Sequence, residues 1–261
     1  MFFFSLLSLF IKYKAISKFT PYISFALFLY VSSTIFWKDL GQIRNGFIAG
    51  LILYAVFFSY KKQYIKFFVV LFLACQIHLA AIVGGVIYFI NLLTNRKIMY
   101  FLVIFSFGVA LAGGVGKVIL TVIPIDALGA VTSRANSYLG GDYDVQRNIL
   151  GISSLVNVLL TLFLIYNYDK LIKKNNYNSY LIPLVVLGLT ADYLLSDFGI
   201  LGARIFDIFY YLPVVILLTY VYELVPKNHR WITYIGVFVY ALVGFGFLLI
   251  DSYPYKSILN F

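Results

Sequence analysis

The chain of 261 residues is 62% apolar, 20% aromatic and only 11% charged. This composition excludes an ordinary soluble globular domain and is typical of a chain that lies in a lipid bilayer. The formal net charge of +10 would suggest nucleic-acid binding in a soluble protein. In a membrane protein the same excess follows from the enrichment of Lys and Arg in cytoplasmic loops, so we expect no nucleic-acid partner.

Long unbroken apolar runs predict an all-α fold, because a helix satisfies its own backbone hydrogen bonds inside lipid. Residues 1–261 are interpreted as a single integral membrane domain with about eight transmembrane helices. The first run, Phe2–Ile11, is short. The longer runs are Pro21–Trp37, Arg44–Ser59, Phe67–Leu93, Ile98–Ile123, Ile149–Tyr166, Tyr180–Leu195, Ala203–Tyr222 and Trp231–Ile250.

Basic clusters between these runs predict the orientation of the chain in the membrane. Thirteen of the 20 Lys and Arg residues form short clusters, and such clusters favour the cytoplasmic side. They are Lys12, Lys14 and Lys18; Lys61, Lys62 and Lys66; Arg96 and Lys97; Lys170, Lys173 and Lys174; and Lys227 and Arg230. We therefore expect a multi-pass protein whose basic clusters all face the cytoplasm.

The run Phe67–Leu93 predicts a re-entrant hairpin. It is too short for two full spans but suits two half-length arms, with His78 near its middle. Simple alternation of spans would place Arg96 and Lys97 outside, whereas a hairpin over residues 67–93 returns them to the cytoplasm. The alternative is a single tilted span followed by two basic residues that depart from the positive-inside pattern.

With the hairpin, the polar stretch Pro124–Asn148 becomes an outer, periplasmic loop that is long enough to hold a functional substructure. The N-terminus then also lies outside, and it lacks the basic region of a signal peptide. An outside start on a half-length apolar run predicts that an N-terminal part of the protein is missing from this chain.

Several polar residues lie where lipid should exclude them, which makes them functional candidates. Arg44 begins a span, His78 lies within an apolar run, and Arg204 begins another span together with Asp207. Each has a structural alternative. Arg44 could extend to the lipid headgroups, His78 could form a helix–helix hydrogen bond, and Arg204 could neutralise Asp207 three residues later.

Other motifs are better explained by structure than by chemistry. Gly46 and Gly50 have the spacing of small residues that lets two membrane helices approach closely. The segment Gly113–Lys117 resembles a phosphate loop, but Val118 stands where that motif needs Ser or Thr. Because Cys75 is the single cysteine and no zinc-site pattern occurs, we predict neither a metal site nor a cofactor.

Arginines, a histidine and aromatic side chains at the outer edge of a membrane suit one class of reaction. Arginine guanidinium groups bind phosphate oxygens in pairs and keep their charge. Tyrosines such as Tyr210 and Tyr255 can stack on sugar rings, and a histidine can take a proton from a sugar hydroxyl. This set suits glycosyl transfer from a polyprenyl-pyrophosphate donor, in which arginines stabilise the leaving group and no metal is needed.

Four short motifs, in order over roughly residues 39–256, resemble the EpsG-like, Wzy-type polysaccharide polymerases. They are Gly41-Gln-Ile-Arg-Asn-Gly-Phe-Ile-Ala49, Gln76-Ile-His-Leu-Ala-Ala81, Gly202-Ala-Arg-Ile-Phe-Asp-Ile-Phe-Tyr-Tyr211 and Tyr253-Pro-Tyr-Lys256. Ala80 stands where the family often has serine. The resemblance implies a bacterial inner-membrane enzyme that joins undecaprenyl-pyrophosphate-linked repeat units into O-antigen, capsule or exopolysaccharide. It also implies a flippase and a chain-length regulator as partners.

The resemblance also assigns roles to individual residues. Arg44 and Arg204 would bind the pyrophosphate, and His78 would act as a general base or position the substrate. Further substrate contacts are expected from the outer loop, the last helices and the C-terminal tail. The predicted substrate-binding residues are Arg134, Arg147, Tyr210, Tyr255 and Lys256.

Two other functions would use similar residues. A flippase for lipid-linked oligosaccharides also needs buried arginines, a broken helix and a polar cavity, although many transporters have a repeat symmetry that this sequence lacks. An integral membrane acyltransferase would keep a histidine in a cavity that faces the cytoplasm. The side of the membrane to which His78 opens therefore discriminates the acyltransferase from the polymerase.

Overall fold

The computed structural model describes residues 2–33, 43–116, 118, 148–236, 238–239 and 242. Within these ranges the defined elements are α-helices and 3-10 helices without a strand, which confirms the predicted all-α fold. The α-helices are α1 (Phe2–Ile16), α2 (Ile23–Ser33), α3 (Ile43–Tyr60), α4 (Tyr64–Ile77), α5 (Arg96–Leu111), α6 (Ile152–Tyr166), α7 (Tyr168–Lys174), α8 (Asn178–Leu194), α9 (Gly199–Phe209) and α10 (Tyr211–Leu224). The 3-10 helices are η1 (Leu79–Leu93), η2 (Ser196–Phe198) and η3 (Lys227–His229).

The helices of the described ranges are short for membrane spans. None of them is, by itself, both long and apolar enough to cross a bilayer. Two bent pairs reach the required length and composition, namely α6 with α7, bent by 69°, and α8 with the segment Ser196–Phe209, bent by 78°. The count of about eight transmembrane helices therefore stays a prediction.

The predicted span Ala203–Tyr222 is divided in the structure. Helix α9 ends at Phe209 and α10 begins at Tyr211. Pro213 lies in the first turn of α10, where it has no N–H to donate to the carbonyl of Phe209, so a continuous helix would lose a hydrogen bond there. The predicted single run therefore corresponds to two helices in the structure, α9 and α10.

Helix α8 lies at the centre of the described fold. Residues around its whole circumference are buried, among them Leu181, Val185 and Tyr193, as expected for a helix that is apolar on all sides. It packs closely against α9, because a Cβ atom added to Gly202 would lie 3.2 Å from the carbonyl oxygen of Asp192. The core helix therefore sets the position of α9, which carries Arg204.

Helices α1 and α3 lie side by side and run in the same direction. The rings of Phe19 and Phe57 are 6.2 Å apart near their C-terminal ends. About two turns earlier on each helix, a Cβ atom added to Gly50 would lie 3.0 Å from Cγ of Lys12. The predicted close helix packing at Gly50 is thus confirmed.

The run containing His78 forms a helical hairpin. Helix α4 and η1 fold back on each other, so that the rings of Tyr64 and Tyr88 lie 5.3 Å apart. A Cβ atom added to Gly84 would lie 2.9 Å from Cδ1 of Leu71. In each contact, one residue lies before His78 and the other lies a similar distance along the chain after it. This pattern is expected for two antiparallel arms. The predicted hairpin is confirmed as a fold, while its insertion into a membrane stays a prediction.

Basic residues from different parts of the chain gather at one end of the bundle. Arg96 Nη1 lies 2.7 Å from Oδ2 of Asp169 in α7. Lys61, which follows α3, lies with Nζ 5.6 Å from the ring centre of Tyr177, just beyond α7. The hairpin therefore returns Arg96 to the end of the bundle that holds the α3–α4 and α7 clusters, as the positive-inside argument requires.

Lys12 departs from this arrangement. Its side chain is 1% exposed, whereas Lys14 and Lys18 are exposed. Helix α1 continues to Ile16, past the predicted end of the first run at Ile11. The assignment of Lys12 to a cytoplasmic cluster was therefore wrong, because the helix carries this residue into the interior of the bundle.

Candidate functional site

Three of the predicted site residues belong to elements that pack together. Arg44 lies in the first turn of α3 and is exposed, His78 joins α4 to η1 and is half-buried, and Arg204 lies in α9 and is half-buried. Helix α9 packs against both α3 and η1. The tertiary fold thus brings residues that are far apart in the sequence to one region of the bundle.

His78 forms the corner of the hairpin. Its backbone is extended, with φ −155° and ψ 124°, which ends α4 and allows η1 to begin. Its Nδ1 atom accepts a hydrogen bond of 3.1 Å from the backbone N–H of Ala80. A ring nitrogen that accepts a hydrogen bond carries no proton, so a neutral imidazole in this position carries its proton on Nε2. His78 can therefore offer an Nε2–H group to a bound anion.

Two arginines act on this histidine. The side chains of Arg204 and Arg44 both interact electrostatically with the His78 ring. Two guanidinium groups and a donor N–H in one region of the bundle favour an anion with several oxygen atoms, such as a phosphate or a pyrophosphate. The roles assigned to Arg44, His78 and Arg204 from the sequence stay predictions.

A buried hydrogen bond joins the two arginine-bearing helices. Nδ2 of Asn45 donates to Oδ2 of Asp207 over 3.1 Å, and Asp207 is only 7% exposed. Asn45 follows Arg44 in α3, and Asp207 lies one helical turn after Arg204 in α9. This contact therefore fixes the two helices relative to each other close to the backbone positions of Arg44 and Arg204.

A small cleft adjoins this contact. Lys12 reaches into it from α1 and donates a hydrogen bond of 2.7 Å from Nζ to the hydroxyl of Tyr30 in α2. The cleft is lined by Lys12, Tyr30, Asn45, Gly46, Ala49, Asp207, Tyr211 and Leu212. Sequence reasoning missed Lys12 and Tyr30 as members of the site, although a lysine inside an apolar helix was the signal that could have identified Lys12.

Comparison with known proteins identifies the family of the chain. The sequence model of the EpsG family matches residues 1–261. The chain belongs to the EpsG family. Over 214 residues it is 27% identical to the amylovoran biosynthesis protein AmsC of Erwinia amylovora. That alignment covers 77% of this chain and 56% of AmsC, so the chain spans little more than half the length of this relative. No solved structure matches the chain.

Tyr210, predicted to bind substrate, lies inside the packed core of this EpsG-family chain. It is 1% exposed, its ring stacks on Phe206 with centroids 4.2 Å apart, and its hydroxyl donates to the carbonyl of Asn157 over 3.1 Å. These contacts give Tyr210 a packing role, and the neighbouring Tyr211 is the one that lines the cleft. Contact between Tyr210 and a sugar stays a prediction.

The remaining predicted substrate-binding residues lie outside the part of the chain that the structure describes. They are Arg134, Arg147, Tyr255 and Lys256. Most of the predicted outer loop, residues 124–147, lies outside it as well. At the edge of that loop, the hydroxyl of Ser154 donates to the carbonyl of Asn148 over 2.9 Å. Participation of the loop and the tail in the site therefore stays a prediction.

The glycine-rich segment after α5 has a structural role. Gly113 and Gly114 have φ values of 107° and 82°, which other residues rarely adopt. The turn directs the N–H of Gly116 to Oδ1 of Asp197, over 2.7 Å. The segment thus binds a carboxylate of its own chain, in agreement with the rejection of the phosphate-loop interpretation.

Within the described ranges, no three His, Cys, Asp or Glu side chains lie close enough together to hold a metal ion. The cationic groups of Arg44 and Arg204 are the features of this site that could bind an anionic leaving group. A reaction that proceeds without a metal stays a prediction.

Proposed function

We propose that this EpsG-family chain acts in polysaccharide polymerisation as a membrane glycosyltransferase of the Wzy type. It would join polyprenyl-pyrophosphate-linked oligosaccharide repeat units, with undecaprenyl as the lipid, into O-antigen, capsule or exopolysaccharide. The single observation that carries the proposal is that Arg44 and Arg204 interact electrostatically with His78, although the three residues belong to separate elements that pack together. Membership of the EpsG family and the similarity to an amylovoran biosynthesis protein support the same class of reaction.

The proposed reaction is a displacement at the anomeric carbon of the donor sugar. A hydroxyl of the acceptor glycan forms a new C–O bond there, and the C–O bond to the lipid pyrophosphate breaks. The pyrophosphate leaves with the electron pair, and Arg44 and Arg204 stabilise the charge that develops on it. The acceptor proton passes to an oxygen of the departing pyrophosphate, which becomes more basic as the bond breaks.

In this scheme His78 positions the substrate. Because Nδ1 accepts from Ala80, the neutral ring presents Nε2–H and no lone pair to the site. Such a ring donates a hydrogen bond to a pyrophosphate oxygen but cannot accept the proton of a sugar hydroxyl. Of the two roles expected for His78, the hydrogen bond therefore favours substrate positioning over general-base catalysis.

We further propose that the basic end of the bundle faces the cytoplasm and that the site faces the outer side of the bacterial cytoplasmic membrane. Large apolar side chains exposed on the described surface, such as Ile65 at 83% and Leu92 at 72%, support contact with lipid. In this orientation the hairpin that turns at His78 enters the membrane from the cytoplasmic side. A flippase would deliver the repeat units, and a chain-length regulator would act on the growing polymer.

The proposal is tested by the length of surface polysaccharide in a strain that lacks the gene. The strain is complemented with wild type, Arg44→Ala, Arg204→Ala or His78→Ala at matched membrane levels, with the exposed, cationic Lys14→Ala as the control variant. We expect a ladder of long glycans with wild type and Lys14→Ala, and mostly single repeat units with the arginine variants. A loss of one guanidinium contact to the leaving group should lower the rate by about 10²-fold or more.

Two outcomes would contradict the polymerase. Loss of all surface glycan, with lipid-linked repeat units accumulating inside the cell, would indicate a flippase. Unchanged ladders in the null strain, after other polymerase genes have been deleted, would exclude a role in polymerisation.

A further inference from the structure

Three exposed lysines form a cluster beside aromatic rings at the basic end of the bundle. Lys18 follows α1, and Lys61 and Lys62 follow α3. Nζ of Lys18 lies 6.0 Å from the ring centre of Phe57, and Nζ of Lys61 lies 5.6 Å from that of Tyr177. The two rings are themselves 5.8 Å apart. Ammonium groups from distant parts of the sequence are therefore held beside one pair of aromatic rings, and we call the three lysines the lysine cluster.

The described carboxylates at this end of the bundle already have basic partners. Asp169 lies 2.7 Å from Arg96, and Glu223 lies 3.5 Å from Lys174. The lysine cluster thus adds positive charge that these two acids do not compensate. Concentrated positive charge of this kind attracts a group with negatively charged oxygen atoms.

Lys62 has a backbone conformation that is unfavourable for lysine. Its φ value is 56°. Its N–H donates to the carbonyl of Ser59, and the N–H of Gln63 donates to the carbonyl of Phe58, which is the hydrogen-bond pattern of a Schellman motif. Glycine is usual at this position because it has no Cβ atom to clash in the left-handed region. Strained positions concentrate at functional sites, and here the residue in the strained position is a third cation.

Apolar surface begins next to the lysine cluster. Along α4, Ile65 is 83% exposed, Phe68 is 52% exposed and Phe72 is 63% exposed. Side chains three or four residues apart lie on one face of a helix, so these residues form an apolar stripe that starts three residues after Lys62. A ligand that fits both features combines an anionic head with an apolar tail.

We propose that the lysine cluster binds the phosphate headgroup of an anionic phospholipid, whose acyl chains lie along the apolar stripe of α4. This lipid site is separate from the three-residue site of Arg44, His78 and Arg204. Arg44 and Lys61 lie toward the two ends of α3, about 25 Å apart along its axis. The inference rests on the proposed location of the chain in a membrane and does not depend on the polymerase reaction.

The lipid site is tested by thermal unfolding of the full chain in a neutral detergent. Phosphatidylglycerol, phosphatidylcholine or free glycerol phosphate is added, so that headgroup charge and acyl chains are varied separately. A ligand that binds the folded protein alone raises Tm. We expect phosphatidylglycerol to raise Tm by about 3 °C or more, and the other two compounds to raise it by less than about 1 °C. High salt should reduce the effect of phosphatidylglycerol, because it screens exposed charges.

A pair of glutamine substitutions connects this effect to the lysine cluster. Lys18→Gln combined with Lys61→Gln should reduce the Tm shift caused by phosphatidylglycerol to less than about half. The matched control is Lys97→Gln combined with Lys227→Gln. It removes the same charge from exposed positions of α5 and η3, and it should keep the full shift.

Lys62→Gly separates binding from stability. Glycine adopts the left-handed conformation without a steric cost, so we expect the Tm of the lipid-free variant to be unchanged or higher than that of wild type. The shift caused by phosphatidylglycerol should nevertheless be smaller, because one cation of the cluster has been removed. A damaged fold could not produce this combination of results.

Other results would overturn the inference. An absent shift with phosphatidylglycerol, or an equal shift with phosphatidylcholine, would exclude a site selective for anionic lipid, and an equal shift with glycerol phosphate would indicate a site for a soluble anion. A shift with poly-L-glutamate alone would indicate an acidic protein partner. A full phosphatidylglycerol shift in the Lys18–Lys61 double variant would exclude the lysine cluster as the site. None of these measurements uses polymerisation activity, so the lipid site and the proposed function can fail independently.

Discussion

At the residue scale, one hydrogen bond determines what the imidazole of His78 can do. Nδ1 accepts from the N–H of Ala80 and so caps the start of η1. The ring therefore serves as a helix cap on one edge and as a donor on the other. A histidine with this geometry suits an anion that needs a hydrogen bond, and it does not suit a hydroxyl that must lose a proton.

Two amide substitutions separate these functions of His78. The amide of Gln places an N–H near the position of Nε2, whereas the amide of Asn places an oxygen near the position of Nδ1. We expect His78→Gln to keep a measurable part of the polymerisation activity, and His78→Asn to preserve the cap and the fold but to lose activity by about 10²-fold or more. The measurement is glycan length together with the Tm of each purified variant.

If His78 acted as a general base, neither amide could replace it. Equal and complete inactivity of well-folded Gln and Asn variants would therefore contradict the donor role and restore the general-base interpretation.

Single residues also show why candidate site residues can be selected from the sequence. Arg44, His78 and Arg204 each interrupt apolar surroundings, and such interruptions are expensive in lipid, which makes these residues functional candidates. Lys12 has the same property but lies near two solvent-exposed lysines in the sequence. Lys12 and Lys14 lie on different faces of α1, so Lys12 is buried and Lys14 is exposed. This difference becomes visible only in the structure.

At the scale of elements, the position of α9 depends on a close contact with α8. A Cβ atom added to Gly202 would lie 3.2 Å from the carbonyl oxygen and 3.3 Å from Cα of Asp192. Both are backbone atoms, which cannot rotate away as the end of a side chain can. Gly202 therefore allows α9 to pack closely against α8, and this packing sets the position of Arg204.

Gly202→Ala should therefore displace α9 by a few tenths of an ångström or more. We expect a loss of about 1–3 kcal/mol in the free energy of unfolding, together with reduced polymerisation. The control is Gly108→Ala in α5, where an added Cβ would meet no atom within 4 Å. That substitution should be neutral or slightly stabilising because Ala has the higher helix propensity.

Thermal unfolding in detergent measures the difference between the two glycine variants. Equal stability of Gly202→Ala and wild type would show that α9 can move away from α8 without loss, and it would remove the packing argument for Arg204.

At the scale of the whole molecule, basic side chains are concentrated at one end of the bundle. Arg96, Lys61 and the residues of α7 lie there, and their contacts join segments that are far apart in the sequence. The three-residue site is built at the start of α3, whereas Lys61 follows the end of that helix. The site and the basic clusters therefore lie toward opposite ends of α3.

The position of the basic clusters at one end of the bundle predicts the result of cysteine labelling in intact cells. In a Cys75→Ser background, single cysteines replace Lys61, Lys97 or Asn148. We expect a membrane-impermeant maleimide to label Asn148→Cys from outside, and to label the other two only after the membrane has been permeabilised.

The labelling of Lys97→Cys discriminates the hairpin from a single tilted span. Labelling of this position from outside would mean that the arms of the hairpin cross the membrane, and it would contradict the proposed topology. Matched protein levels and labelling under denaturing conditions control for expression and for buried thiols.

The sequence by itself determined the helical class, and it predicted the hairpin and the site residues Arg44, His78 and Arg204. These follow from local physics, because apolar length, positive-inside bias and the cost of charge in lipid all act on short segments. The family resemblance could likewise be recognised from four short motifs.

Only the tertiary structure decided which residues face one another. The Asn45–Asp207 contact joins positions 162 residues apart, and neither residue type indicates its partner in advance. The burial of Lys12, the packing of Tyr210 and the division of α9 from α10 depend in the same way on neighbours from distant segments. Hydrogen bonds and steric fit act over a few ångströms in space, so they become visible only when the helices have been placed together.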